Sequence, residues 1–352
     1  MTNQYYLVHP GEILQDSLDA LGMSQVELSE RIGLAKETIN DIVRGRDKVT
    51  PDTAAKLSLA FGTSMDFWLN LQANYEVAKA NAVADERAEK EAKEFGALEF
   101  YRELVKHGYA AKAADLTEKI KNLWSFFGVE SLTYLPKVQA VAFRRKPTKS
   151  CTNLALAAWL RCGEKDAAKV EVELFDKEKL MKAISVIRPM TATRGDIRLA
   201  EVAAPLAKAG VVLVKTPVFK GLGVNAATRW LNSEKAMIQL SVRGQYSDRI
   251  WFSLFHEIGH LVKHGKKDEF VEFETNEEHE KENEADVFAA DALIPRAEWR
   301  EFINQPHHDL GSIISFAGKL NIDPGVVAGR YAHENDGRFK DVSRILRKVN
   351  IV

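Results

Sequence analysis

Two histidines and a glutamate occupy a short apolar stretch, WFSLFHEIGHLVKHG, at residues 251–265. On an α-helix, positions i and i+4 project from one face, so His256 and His260 can bind one metal ion together. Glu257 points to the side of that face, where its carboxylate can reach a metal-bound water and accept a proton from it. Two imidazoles and a carboxylate among apolar neighbours would be costly if they had no partner. The spacing therefore predicts a zinc site with the chemistry of amide-bond hydrolysis.

Zinc needs a third protein ligand, and the residues leave more than one candidate. His264 lies one further turn along the helix, about 12 Å from the first histidine along the axis, and we interpret it as a helix C-terminal residue. A second helix with an apolar stripe is predicted over residues 276–295. Periodicity alone does not choose among the glutamates that precede or enter this stripe, which are Glu280, Glu282 and Glu284.

A helix-turn-helix is predicted within residues 1–75, where capping residues and glycines mark five short helices. Counted from Gln25, the small residue Ser29 fills the fifth position, and Gly33 fills the ninth, where the chain turns sharply. Apolar residues fill the fourth, eighth, tenth, fifteenth and eighteenth positions; they are Leu28, Ile32, Leu34, Ile39 and Ile42. These residues pack the second and third helices together, so that the third is presented to a DNA major groove.

The charge of this segment is unusual for a DNA-binding domain, which is normally basic. Residues 1–75 contain six lysines and arginines against ten aspartates and glutamates, whereas residues 34–50 contain four against three. We therefore expect the basic residues to lie on the recognition face and the acidic residues on the back. A protein-binding role for this segment, such as binding of a toxin, is the alternative.

The composition of the 352 residues is that of an ordinary globular protein, with 45% hydrophobic residues, 28% charged residues and a net charge of −1. Neither of the two cysteines, Cys151 and Cys162, lies in a CxxC pair, so no disulfide scaffold is expected. The sequence shows no secretory signal and no apolar run of the roughly 18 residues that a membrane span needs. These features predict a cytoplasmic protein that does not bind a membrane.

The remaining patterns predict a mainly α fold with a small β-sheet (α+β), divided into four segments. Residues 1–75 are the helix-turn-helix domain, and residues 76–108, which are rich in Ala, Glu and Lys, are a helical linker. Residues 109–205 are further helices that flank the metal-binding domain, and residues 206–352 are that domain with its C-terminal helices. Three strands are predicted before the metal-binding helix, at 211–219, 224–232 and 236–242.

The N-terminal part resembles a known family. The stretches HPGEIL, SQVELSERIGLAKETINDIVRGRDKVTPDTAAKLSLAFG and FWLNLQANYE are similar to the XRE-type helix-turn-helix of HigA-like antitoxins. This resemblance implies a homodimer that binds double-stranded operator DNA, such as its own promoter, and represses its own synthesis. The residues that it implies are Lys36, Glu37, Thr38 and Asn40 for bases, Gln25 for a phosphate or base edge, and Arg44, Arg46 and Lys48 for phosphates.

The C-terminal part resembles a second family. The stretches FHEIGHLVKHG and ENEADVFAADALIP are similar to the ImmA/IrrE family of zinc metallopeptidases. This resemblance implies a gluzincin-like fold in which His256, His260 and Glu284 hold Zn²⁺ and Glu257 is the general base. Known members are linked to cleavage of repressors, which implies a repressor-like protein substrate. In the simplest such systems protease and repressor are separate proteins, whereas this chain carries both.

Together these features predict a DNA-binding transcriptional regulator that carries a zinc-dependent endopeptidase. The alternative is an antitoxin-like autorepressor of a toxin–antitoxin system, which binds a cognate toxin and whose zinc-peptidase fold is a sensor or scaffold without catalysis. The presence of Glu257 favours the enzyme, because a scaffold has no need of a general base.

Overall fold

The computed structural model describes residues 8–135, 150–219, 222, 224, 226–241, 245–264, 276–306, 308–335 and 342–352. The chain forms two compact units. The first comprises Met1–Gly96 and Ala114–Lys121, and the second comprises Ala97–Ala113 and Asn122–Val352.

Helices build the first unit, and their starts follow the capping residues that the sequence predicted. The hydroxyls of Ser24, Thr50 and Ser64 each accept a hydrogen bond from a backbone N–H at the start of a helix. Apolar side chains from these helices pack into one core that includes the fully buried Trp68. The helices are α1 (Pro10–Ala20), α2 (Gln25–Ile32), α3 (Lys36–Val43), α4 (Pro51–Phe61) and α5 (Met65–Phe95).

Helix α5 is longer than the sequence predicted. A helix that ends near residue 75 and a separate linker helix were expected, but a single helix continues to Phe95. No glycine or proline interrupts this stretch before Gly96, where a φ of 62° ends the helix. The intervening residues are mostly good helix formers, so nothing stops the helix earlier. The predicted division into residues 1–75 and 76–108 therefore falls inside one helix.

A small sheet lies at the centre of the second unit. Its strands are β1 (Val211–Lys215), β2 (Ala226–Asn232) and β3 (Lys235–Leu240), in the order β1-β3-β2. Strand β3 is parallel to β1 and antiparallel to β2, which leaves β2 at an edge of the described sheet. Two short strands, β4 (Gln245–Tyr246) and β5 (Lys348–Val349), form a separate antiparallel pair. The three predicted strands are present and somewhat shorter.

Helices make up most of the rest of the described chain, so the prediction of a mainly α fold with a small β-sheet is confirmed. None of the helices in the described ranges has the length and apolar content needed to cross a membrane. The helices, in chain order, are α6 (Tyr101–Lys106), α7 (Leu116–Phe127), α8 (Ser150–Ala167), α9 (Lys177–Ile187), α10 (Leu199–Ala207), α11 (Ser247–Lys263), α12 (Asn276–Leu293), α13 (Arg296–Ile303), α14 (Leu310–Leu320), α15 (Pro324–Glu334) and α16 (Val342–Ile345).

Both faces of β1 are buried, because its side chains alternate between two clusters. Leu213 lies in the large core, together with Phe255 and Ile258 of α11. Val212 and Val214 lie in a smaller cluster that includes the last residue of α8. This packing places the helix that carries the histidines against one face of the sheet, with its polar face turned away from the core.

Candidate metal centre and DNA-binding surface

A glycine allows α11, the helix that carries His256 and His260, to pack closely against α12. Gly259 of α11 faces α12, and a Cβ at this position would lie 3.0 Å from the Phe288 ring and 3.2 Å from the backbone of Ala285. A distance of 3.0 Å is shorter than van der Waals contact between carbons, so a larger residue would push the helices apart. The close approach brings the carboxylates of α12 against the histidines of α11.

His256 and His260 point their Nε2 atoms at the same place, 2.9 Å from each other. The carboxylate of Glu282 completes the group, with Oε2 3.2 Å from His256 Nε2 and Oε1 3.7 Å from His260 Nε2. One donor atom from each of the three residues lies within 4.8 Å of the others. Two imidazole nitrogens and one carboxylate oxygen are the donors of a zinc site that keeps a fourth position open. This donor set therefore fits Zn²⁺.

The other nitrogen of His256 is held by Asp286, whose Oδ1 lies 2.7 Å from Nδ1. An ionised carboxylate only accepts, so Nδ1 carries the proton and Nε2 can present its lone pair to a metal. Sequence reasoning did not single out Asp286. The available signal was its position four residues after Glu282, on the same face of one helix.

The pKa values of His256 and His260 are shifted in opposite directions. Burial alone would lower the pKa of His256, but the nearby carboxylates of Glu282, Glu257 and Asp286 outweigh it and raise this pKa to about 8. Burial and the neighbouring His256 lower the pKa of His260 to about 4. At neutral pH the two rings therefore carry one positive charge rather than two, at the place where a cation would be bound.

Glu284, which the family resemblance implied as the third ligand, is not part of this group. Its Oε2 lies 3.7 Å from Nδ1 of His264. Two residues along a helix correspond to a rotation of about 200°, so neighbours at this spacing cannot face the same point. Of the three candidate glutamates, the geometry brings Glu282 to the two histidines. The identity of the third ligand stays a prediction. Glu280 is exposed at the start of α12 and does not belong to the group either.

Glu257 is buried, with an exposed fraction of 8%, and follows the first histidine directly. Its backbone carbonyl accepts a hydrogen bond from Oγ1 of Thr228 at 3.2 Å. Thr228 belongs to β2, so this bond ties the edge strand to α11 at the motif itself. The sheet edge and the candidate base are therefore neighbours.

The predicted helix-turn-helix is formed by α2 and α3. Gly33 takes a left-handed conformation, with φ at 62°, at the turn between the two helices. The hydroxyl of Ser29 donates to the carbonyl of Leu34 at 2.6 Å, which fixes the turn from the side of α2. Leu28, Ile39 and Ile42 are fully buried between the helices and the rest of the first core.

The stretch HPGEIL, at residues 9–14, forms the start of α1 and its contact with α3. His9 caps α1, because its Nδ1 accepts from the N–H of Gly11 at 2.9 Å while Glu12 accepts from the His9 N–H at 3.1 Å. A Cβ on Gly11 would lie 1.9 Å from the carbonyl oxygen of Ile42. Only glycine allows α1 to cross α3 this closely.

The residues proposed to contact DNA lie on α3 or in the turn after it, except Gln25, which is the first residue of α2. Their exposure differs. Arg46 pairs with Asp41 at 2.5 Å, and Lys48 pairs with Glu76 at 3.0 Å. Arg44 has no ion-pair partner among the described residues. The exposed members are Lys36, Glu37, Arg44, Arg46 and Lys48, and the half-buried members are Gln25, Thr38 and Asn40.

Two family models match the chain. The helix-turn-helix model matches residues 14–68, and the IrrE N-terminal-like domain, a peptidase family, matches residues 207–330. The first match covers the turn between α2 and α3, and the second covers the sheet, both histidines and Glu282.

Relatives match the N-terminal part. The HTH-type transcriptional regulator YddM of Escherichia coli K12 is 38% identical over 76 residues, which are 22% of this chain and 81% of that protein. Antitoxin HigA-1 of Vibrio cholerae is 33% identical over 66 residues, which are 18% of this chain and 62% of that protein. The structure of Pseudomonas aeruginosa antitoxin HigA with the higBA promoter is 39% identical, covers 24% of this chain and 92% of that chain, and has a TM-score of 0.23. The chain thus belongs to the XRE-type helix-turn-helix regulators through its N-terminal part, and its C-terminal part carries an IrrE N-terminal-like domain.

Proposed function

We propose that this chain is a DNA-binding regulator with a zinc-dependent endopeptidase, which cleaves a repressor or another regulatory protein. The observation that carries the proposal is the convergence of His256, His260 and Glu282 within an IrrE-like domain, with Glu257 buried next to the first histidine. A helix-turn-helix domain in the same chain supports a role of the proposed peptidase in transcription.

In this proposal His256, His260 and Glu282 would hold the metal, and Asp286 keeps the ring of His256 in the orientation that presents Nε2. Zinc, when bound, supplies the Lewis acidity that makes water nucleophilic near neutral pH. The carboxylate of Glu257 accepts a proton from the attacking water and delivers it to the nitrogen of the leaving amine. Burial of Glu257 limits the contact of its carboxylate with bulk solvent.

Strand β2 supports a protein substrate. It lies at an edge of the described sheet, and an edge strand can pair with an extended peptide through main-chain hydrogen bonds. The bond from Thr228 to the Glu257 carbonyl keeps this edge beside the general base. A peptide paired with β2 would therefore lie along the metal-binding helix, and extended segments would be cleaved in preference to folded ones.

The N-terminal part is proposed to bind operator DNA as a homodimer, with its own promoter as the first candidate. The helix-turn-helix geometry of α2 and α3 and the relation to transcriptional regulators and antitoxins support this. The second candidate function, an antitoxin-like autorepressor with a non-catalytic zinc fold and a cognate toxin, is favoured by the same antitoxin relatives. Glu257 favours the enzyme over this second candidate.

One experiment separates the two. The full chain is purified with zinc, its metal content is measured, and it is incubated with candidate repressors, followed by mapping of the fragments. We expect about one zinc per chain and cleavage by the wild type. Glu257→Gln should keep the zinc and lose cleavage by several orders of magnitude, since its side chain is not a ligand. An equally active Glu257→Gln variant overturns the mechanism, and full zinc without cleavage of any candidate favours the non-catalytic regulator.

A further inference from the structure

A third histidine, at the C-terminal end of α11, has no role in the chemistry proposed above. His264 directly follows the last residue of α11, and its ring lies 5.3 Å from that of His260. Its side chain is only 11% exposed, so it is enclosed although it stands at a helix end. An enclosed imidazole at the border of a metal site needs a polar partner.

The partner of His264 is the backbone of α12. Its Nε2 lies 3.1 Å from the carbonyl oxygen of Lys281. A carbonyl only accepts, so Nε2 carries the proton and donates it. Its Nδ1 is 3.7 Å from the carboxylate of Glu284, which is too long for a hydrogen bond. His264 therefore holds the main chain of α12 rather than the side chain of Glu284.

Lys281 immediately precedes Glu282, the carboxylate that faces the two histidines. The side chain of Glu282 is 51% exposed, so burial does little to fix its direction. The position of its backbone therefore helps to set the direction of this carboxylate. The hydrogen bond from His264 fixes the carbonyl directly before it.

We propose that His264 is a positioning residue of the metal site, which pins the Lys281–Glu282 peptide so that the Glu282 carboxylate stays aimed at His256 and His260. The inference rests on the zinc site of the proposed function. His264 does not touch the metal in this arrangement, and it acts through the backbone of α12. In other metal sites, loss of a residue that holds a ligand in place without contacting the metal lowers metal affinity by roughly 10- to 100-fold.

Three substitutions of His264 test the proposal in the full chain. Glutamine places an amide N–H near the position of Nε2 and can still donate to the Lys281 carbonyl. Asparagine is shorter and places its amide near the position of Nδ1, and alanine removes the donor. In competition with a chromophoric chelator, we expect His264→Ala and His264→Asn to bind zinc roughly 10- to 100-fold more weakly than the wild type. His264→Gln should stay close to the wild type.

A second measurement distinguishes a change in the direction of the Glu282 carboxylate from a general loss of packing around residue 264. The visible absorption of the Co²⁺-substituted protein depends on which ligands surround the metal and on their geometry. The spectrum of His264→Ala should shift toward that of Glu282→Ala, and the spectrum of His264→Gln should match the wild type. If His264→Ala does not fold, as judged by circular dichroism, the comparison of His264→Asn with His264→Gln carries the test.

Two results would overturn the positioning role. One is zinc affinity and a cobalt spectrum in His264→Ala that equal those of the wild type. The other is a His264→Gln variant as weak as His264→Ala, because the donor would then not matter. If the proposed zinc site is itself wrong, the result is different, because the wild type and Glu282→Ala would then bind zinc equally poorly.

Discussion

At the scale of residues, the acidic side chains of α12 are sorted by their rotation around the helix. Glu282 and Asp286 are one turn apart, and both reach His256, at opposite nitrogens of its ring. Glu284 lies between them in sequence and faces His264 instead. Helix geometry thus decides which carboxylate faces the histidines. Glu282 and Glu284 have the same chemistry, but their substitution should affect zinc binding differently.

Substitution of these two glutamates tests the donor set. We expect Glu282→Ala to lose most of its zinc after dialysis, because two imidazoles alone are a poor site for zinc. Glu284→Ala removes the same charge two residues further on and should keep about one zinc per chain. Metal content is measured by elemental analysis of both variants beside the wild type. Zinc retained by Glu282→Ala and lost from Glu284→Ala would restore the ligand that the family resemblance implied.

At the scale of elements, α1 depends on the protonation state of its capping residue. Nδ1 of His9 accepts from Gly11, which requires a lone pair on this nitrogen. Burial lowers the pKa of His9; Glu12 and Glu76 oppose this effect, and Lys79 adds to it. The neutral ring is therefore the form that the folded state favours. The cap's contribution to the free energy of unfolding is complete above the ordinary histidine pKa of about 6.5. This contribution is lost as the pH falls through the lower pKa that His9 has in the folded state.

This dependence predicts that acidification weakens α1. The cap should contribute about 1 kcal/mol at neutral pH and nothing once His9 is protonated. His9→Asn keeps an acceptor oxygen and cannot be protonated, so its unfolding temperature should fall less than that of the wild type between neutral and mildly acid solution. Calorimetry of the two full chains gives this difference, since all other titrating groups are common to both. Identical pH profiles would show that the cap does not depend on the charge of His9.

The patterns that the sequence predicted well are local ones. Capping residues such as Ser24 and Thr50 marked helix starts, and the spacing of His256 and His260 was enough to place both on one face. The third ligand was not predictable in this way, because it depends on how α12 is rotated against α11. That rotation is set by contacts between helices, such as the one at Gly259, and helical periodicity contains no information about it.

The end of α5 was missed for a different reason. The composition of residues 76–108 predicts a helix, but propensity does not show whether this helix is continuous with the one before it. In the structure the two are a single helix, which ends at Phe95, directly before Gly96.

At the scale of the whole molecule, the net charge of −1 is not evenly distributed, and the residues in and after α3 are slightly basic. The first 75 residues are acidic overall, yet Arg44, Arg46 and Lys48 are exposed together just after α3. Two of these cations are already paired, with Asp41 and Glu76. Exposed ion pairs contribute at most about 1 kcal/mol, so phosphates can replace these partners at small cost. The acidic composition therefore does not prevent DNA binding by this surface.

The DNA-binding role leads to a prediction with separate outcomes for specificity and for affinity. The homodimer should bind half-sites about one helical turn apart, with the region upstream of its own coding sequence as the target. Asn40→Ala should relax the preference for this region over scrambled DNA by roughly 1–3 kcal/mol, because base edges carry the sequence information. Arg44→Ala should weaken binding to both DNAs alike and reduce the salt dependence, since it removes a phosphate contact.

Gel-shift titrations at two salt concentrations measure all of these quantities in the full chain. Glu257→Gln is the matched control, because it alters the peptidase site and should leave DNA binding unchanged. Binding to the promoter region that is no better than to scrambled DNA, at both salt concentrations, would contradict the operator role. The N-terminal part would then be a protein-binding module, and its exposed cations would face an acidic partner rather than phosphates. The proposed peptidase would in that case reach its substrate by direct recognition of a protein, without a DNA site to bring the two together.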